Sequence, residues 1–158
     1  MADSKLRDLS TDFAVKVIKL CDSVKGHYSL VNQLERSSTS IGANIHEANY
    51  AHSKADFIAK FQIALKECYE AEFWLELFVK SELLDREIAK DLYHQRGTIR
   101  RMLIALIKTA KESPIIDINR WTPSFLEILI DIVRHIAARN HTRFTVSSQR
   151  AASFSVAK

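Results

Sequence analysis

Apolar residues recur at intervals of three and four along most of this chain, a period that predicts helices rather than strands. Between Lys5 and Lys25 the stripe is Leu6, Leu9, Phe13, Val17, Leu20 and Val24, with Lys16 and Lys19 facing away and Gly26 as the stop. A second helix, from about Ser29 to Ala51, carries Leu30, Leu34, Ile41, Ile45 and Ala48. A third runs from about Ser53 to Leu84, opened by Ser53 and Asp56 as a shorter version of the Ser/Thr-x-x-Glu capping box. The fourth, from about Asp85 to Lys111, rests on Ile88, Leu92, Ile99, Leu103 and Leu106, with Gly97 as a weak point and Pro114 as its end. Short connections make neighbouring helices antiparallel, so residues 1–113 are expected to form an all-α, up-down-up-down four-helix bundle. Residues 114–138 add an amphipathic fifth helix, with Thr122 as N-cap, Pro123 at the first helical position and Phe125 to Ala138 as its body. The Ser-rich, aperiodic residues 139–158 are expected to form a disordered basic tail.

Composition narrows the classes. The 158 residues are one domain's worth of chain, and three Gly with two Pro are too few turn-formers for a many-stranded sandwich or barrel. Gly26, Gly42 and Gly97 lie too far apart for a glycine-rich phosphate loop. Cys21 and Cys68 sit inside apolar stripes without CxxC spacing, as buried thiols of a reducing compartment do. The N-terminal MADSKLRDLSTDF has three acids and no apolar centre, unlike a signal peptide. No apolar run approaches the ~18 residues of a membrane span. The expected location is cytoplasmic, with no membrane partner.

Two features depart from a plain monomeric bundle. On a helical wheel the third helix buries Phe57, Phe61, Ala64, Cys68, Leu75 and Val79, which leaves Ile63, Trp74, Leu77 and Phe78 as a second apolar stripe. That stripe predicts an oligomer interface, unless the fifth helix covers it within the same chain. The second feature is polar: Ser37, Ser38 and Asn44 share the face of Leu34, Ile41 and Ile45, and Glu72 falls among core residues of the third helix. A buried network joining Ser37, Asn44 and Glu72 is expected to fix the packing of the two helices.

Residues that carry chemistry are sparse. A di-iron bundle needs paired Glu-x-x-His motifs, and here only Asp91 and His94 come close, once. Neither cysteine has a histidine near it in sequence, and the serines of the second helix lie on a helix rather than on a strand-turn-helix elbow. No catalytic residue, metal ligand or cofactor site is predicted, and the chain is expected not to be an enzyme.

Basic residues are the remaining signal. The fourth helix sets Arg86, Lys90, Arg96, Arg100, Arg101, Lys108 and Lys111 against Glu87, Asp91 and Glu112. Arg96, Arg100, Arg101, Lys108 and Lys111 are candidate contacts to successive phosphates of RNA or DNA; the alternative is that they pair with the acidic third helix of a neighbouring subunit. The tail supplies Arg139, Arg143 and Arg150. Residues 1–138 contain equal numbers of basic and acidic residues, so the net +4 of the chain belongs to the last twenty residues. No aromatic RNA-binding motif occurs, so any binding should be weakly sequence-specific.

Leu34–Ala48, LERSSTSIGANIHEA, and Asp56–Leu77, DFIAKFQIALKECYEAEFWLEL, together resemble the four-helix-bundle proteins encoded in ribosomal RNA intervening sequences. The family's second-helix run maps to Arg36, Ser37, Ser38, Ser40, Ile41, Asn44, Ile45, Glu47 and Ala48. Its third-helix run maps to Ile63, Ala64, Leu65, Glu67, Glu72, Trp74 and Leu75. The resemblance spans about residues 5–112 and implies a small bacterial protein that assembles as a ring-shaped homopentamer and has no established enzymatic activity. It further implies kinship with accessory proteins of diversity-generating retroelements, which bind a reverse transcriptase and nucleic acid through a basic surface. The usual short members lack the segment from Pro114 onward.

Overall fold

In the computed structural model, which describes residues 5–112, four helices follow one another: α1 (Lys5–Ser23), α2 (Tyr28–Ala48), α3 (Lys54–Lys80) and α4 (Arg86–Glu112). The fifth helix and the tail expected from the sequence lie outside the described residues. No strand occurs among the described residues, and the all-α four-helix reading holds.

The helix starts follow from local chemistry. Ser53 Oγ accepts the Asp56 N–H at 3.1 Å, while the Asp56 carboxylate reaches back to the His52 N–H, also at 3.1 Å. The capping pair therefore forms, with the reciprocal bond to His52 N–H, one residue before the N-cap, in place of the usual one to the N-cap itself. Asp85 does the same for α4, accepting from the Glu87 N–H at 2.7 Å. Gly26 (φ +76°) and then His27 (φ +51°) take left-handed conformations to turn α1 into α2.

Two helices end earlier than their apolar patterns. α2 stops at Ala48, and bonds from Asn49, Tyr50 and Ala51 back to His46, Glu47 and Ala48 tighten its last turn. Ala51 stays in the core, which is why the apolar pattern runs on. α3 stops at Lys80, where the Glu82 N–H bonds Val79 O and the Leu83 N–H bonds Phe78 O, with Glu82 at φ +58°. These are the two bonds of a Schellman turn, closed here without glycine.

α1 packs on α2 and α4, and α3 packs on the same two helices, so α1 and α3 stand on one diagonal. Cross-helix pairs run in opposite order along each contact: Arg36 meets Glu70 whereas Glu47 meets Lys60, and Glu72 meets Arg96 whereas Tyr69 meets Arg100. The α2–α3 and α3–α4 pairs are thus antiparallel. Lys16 closes the fourth side, 2.6 Å from Asp91.

The core follows a strict alternation of threes and fours. On α3 it is Phe57, Phe61, Ala64, Cys68, Ala71, Leu75 and Phe78; on α4 it is Ala89, Leu92, Arg96, Ile99, Leu103, Leu106 and Ala110. Phe57 and Phe61 meet edge-on at 4.4 Å between centroids. Each such side chain withdrawn from water contributes roughly 1.5–3 kcal/mol before entropy is counted. Ile88, expected inside, is exposed, because Ala89 holds the position in register with Leu92. At Gly42 α2 lies beside α1, where a methyl group would meet Ser10 Oγ at 3.7 Å, an ordinary contact that leaves room for alanine.

Candidate functional site

The basic residues of α4 divide by register. Arg96 occupies a core position between Leu92 and Ile99 and is buried, which corrects its expected place among the solvent-facing cations. Its Nη1 and Nη2 donate to the two carboxylate oxygens of Glu72 at 2.9 and 2.6 Å. The aliphatic stem is what allows the arginine this position, since it packs while the guanidinium reaches a planar, two-point partner on α3. Burial lowers the Arg96 pKa, and the Glu72 charge opposes that shift. Arg100 is half-buried, with Nη1 3.8 Å from the same carboxylate and its guanidinium 5.6 Å from the Tyr69 ring centroid.

Arg101, Lys108 and Lys111 are the candidates that remain exposed. Arg101 donates to Thr98 Oγ1 at 2.9 Å, and Lys108 lies 3.9 Å from Glu112. Among the described residues, neither Arg101 nor Lys111 has a carboxylate partner. Arg101 and Lys108 are seven residues apart, so they point the same way about 10 Å apart along the axis. The tail candidates Arg139, Arg143 and Arg150 lie outside the described residues.

The expected network of Ser37, Asn44 and Glu72 does not form. The Ser37 hydroxyl donates to Leu34 O at 3.1 Å, and Asn44 Nδ2 donates to Ser40 O at 2.9 Å, both within α2. Small polar side chains on a helix satisfy themselves on carbonyls three or four residues back and need no partner across the interface. Glu72 turns to α4 instead. Arg36 links α2 to α3, pairing with Glu70 and lying 4.0 Å from Glu67, and the Glu47–Lys60 pair links them a second time. Trp74 Nε1 donates to Glu70 at 3.4 Å. Desolvation, with Glu70 beside it, raises the Glu67 pKa against the pull of Arg36.

A second apolar stripe exists on α3, with a different membership. Phe78, expected outside, is only 2% exposed and belongs to the chain's own core, three residues beyond Leu75; Val79, expected inside, is half-buried. Trp74 and Leu77 are half-buried, and Ile63 is exposed as expected. Sequence reasoning missed Tyr69 (49% exposed) and Phe73 (56% exposed), which one turn apart make the outward aromatic stripe, with exposed Ile63 to one side of it. The Phe73 ring meets Trp74 edge-on at 4.9 Å. Placing Phe78 in the alternation of threes and fours would have turned Phe73 outward on the wheel.

The thiols are quiet. Burial pushes Cys21 up to about 11 and Cys68 up to about 12, so both are protonated at neutral pH. No group of three His, Cys, Asp or Glu residues is gathered for a metal ion among the described residues. No helix among them is long and apolar enough to cross a membrane.

The geometry defines a class: a small antiparallel four-helix protein that presents faces, an aromatic one on α3 and a basic one on α4. The chain belongs to the 23S rRNA-intervening sequence protein family, whose model matches residues 2–105. It is also similar to a solved structure from Bacteroides thetaiotaomicron VPI-5482, described as a protein with unknown function from the S23 ribosomal protein family. That chain is 42% identical, and the match covers 66% of this chain and 99% of that one with a TM-score of 0.62. No curated protein matches.

Proposed function

We propose that this chain is a non-enzymatic accessory protein that assembles as a homo-oligomer, a pentamer by its family resemblance. In this reading the oligomer holds RNA, DNA or a ribonucleoprotein partner, such as a reverse transcriptase with its template, with low sequence specificity. The observation that carries the reading is the outward face of α4, where Arg101 and Lys111 stand exposed without carboxylate partners among the described residues and Lys108 lies between them. Side chains of this kind meet phosphates, and a ring repeats the face once per subunit, so weak contacts add through multivalency. The protonated thiols support the non-enzymatic part.

Anisotropy of labelled RNA and DNA strands across a salt series tests it. Binding should weaken steeply with salt, and Arg101→Glu with Lys111→Glu should lower affinity at least tenfold and flatten the salt slope. Failure to bind at low salt, or binding indifferent to salt, overturns it. The outward aromatic pair Tyr69 and Phe73, with exposed Ile63 nearby on α3, favours a second reading, a protein-protein scaffold without nucleic acid. A protein partner retained by the doubly substituted chain, with no nucleic acid in the complex, would select that reading.

A further inference from the structure

A groove of about 310 Å³ lies along the α3–α4 seam, with Leu65, Ile104 and Ile107 as its apolar lining and Lys108, Lys111 and Glu112 at its edge. Its place follows from the antiparallel order of the seam: Tyr69 meets Arg100, so one turn further on Leu65 meets Ile104. Ile104 is 45% exposed. It also interrupts the basic face, since Arg101, Ile104, Lys108 and Lys111 recur at spacings of three, four and three and so share one side of α4. We propose that this groove takes an unstacked base of single-stranded RNA, while Arg101, Lys108 and Lys111 hold phosphates on either side of it and Glu112 accepts a ribose hydroxyl. This assignment rests on the functional reading above and names the form of nucleic acid that the basic face selects.

Charge, apolar surface and the acid at the rim each narrow the occupant. The three cations spread over about 15 Å of the α4 axis, and Lys111 has no carboxylate partner among the described residues. A small ligand with one anionic head would meet only part of that span, whereas a strand carries a phosphate on every nucleotide. A duplex turns phosphates and sugars outward and keeps its base faces stacked inside, so it would set Ile104 against its most polar surface. In a single strand the base faces are free, and covering one with Ile104 and Leu65 takes apolar surface out of water on both sides. Such a contact tolerates any sequence, because every base has a face. The groove's volume sits at the low end of the ~300–1,000 Å³ of pockets that take small molecules, which suits one flat ring system. A docked protein would instead need an interface of about 1,200 Å² or more.

Glu112 decides between the two kinds of strand. It lies on the groove's edge, 3.9 Å from Lys108. A carboxylate repels phosphate and is satisfied only by a donor. An RNA backbone brings a hydroxyl donor on every sugar, and a DNA backbone brings none.

The test follows the anisotropy of an unstructured RNA strand of about twelve nucleotides, of its annealed duplex and of the DNA strand of the same sequence, each titrated with the full chain at low salt. The RNA strand should bind at least fivefold more tightly than the other two. Ile104→Ser should lower that affinity roughly fivefold, the loss of one base contact, without changing the salt slope or the affinity for the duplex. Ile104→Phe, which offers a ring to stack on, should raise it. Glu112→Ala should close the gap between the RNA and DNA strands, and Lys111→Glu should weaken all three and flatten the salt slope. Equal affinity for strand and duplex, or equal losses on both from Ile104→Ser, overturns the proposal, while salt-sensitive binding still leaves the functional reading standing. A DNA strand bound as tightly as the RNA strand overturns the assignment to RNA. Binding of none of the three overturns the proposal and the functional reading together. A protein partner lost on Ile104→Ser, with no nucleic acid in the complex, also overturns the proposal and assigns the groove to that protein.

Discussion

At position 96 the core of this bundle holds an arginine, and its fork with Glu72 is the strongest polar link between α3 and α4. A buried ion pair is worth little against a well-packed apolar pair, but breaking one side leaves the other charge poorly solvated. Arg96→Met should therefore cost about 2 kcal/mol, kept below the usual range for a buried pair because Glu72 is partly exposed and retains Arg100 nearby. Adding Glu72→Met should recover most of that loss. Urea denaturation of the two single variants and the double variant measures the coupling, and additive losses would refute it. The place of Arg96 was legible in the sequence, since Leu92, Arg96, Ile99 and Leu103 continue the alternation of four and three. Reading the letter as charge hid it. The fates of Ser37 and Asn44 were not legible, because spacing does not tell whether a hydroxyl or amide bonds its own helix or the next one.

Helices themselves were mostly legible, and the errors cluster at ends. Ser53 announced the start of α3, since an N-cap is a matter of residue type, and the structure places it there. The end of α3 gave no such sign. Its Schellman turn puts Glu82 at the left-handed position that glycine ordinarily holds, and Leu83 and Leu84 keep the apolar pattern going past the last helical residue. A left-handed conformation costs a residue with a Cβ about 1–2 kcal/mol, while glycine loses some of that gain through its freer unfolded chain. Glu82→Gly should thus stabilise the bundle by about 1 kcal/mol, seen as a higher urea midpoint with unchanged slope. A loss of stability would show that the Glu82 side chain, rather than the turn geometry, matters there.

For the whole molecule, the exposed basic residues of α4 and the exposed aromatic residues of α3 form separate faces, which allows two interactions to be separated by one variable. An exposed phenylalanine alone is ordinary; Phe73, edge-on to Trp74 and one turn from exposed Tyr69, forms an aromatic patch on a helix whose other side already fills the core. Burial of that patch between subunits predicts that light scattering gives several times 18.1 kDa, and five times if the family resemblance extends to the ring. Ile63→Glu with Phe73→Glu should yield a folded monomer of unchanged helical content, since neither side chain belongs to the core. A monomeric native chain, or an assembly indifferent to the two substitutions, would refute the interface. Salt then separates assembly from binding. Apolar burial strengthens or holds as ionic strength rises, whereas phosphate contacts by Arg101, Lys108 and Lys111 weaken with every released counterion. At about 1 M salt, where the screening length falls to ~3 Å, the assembly should keep its mass while bound RNA or DNA is lost. Dissociation of the assembly in step with the nucleic acid would instead mean that the basic face of α4 meets the acidic residues of α3 on a neighbouring subunit.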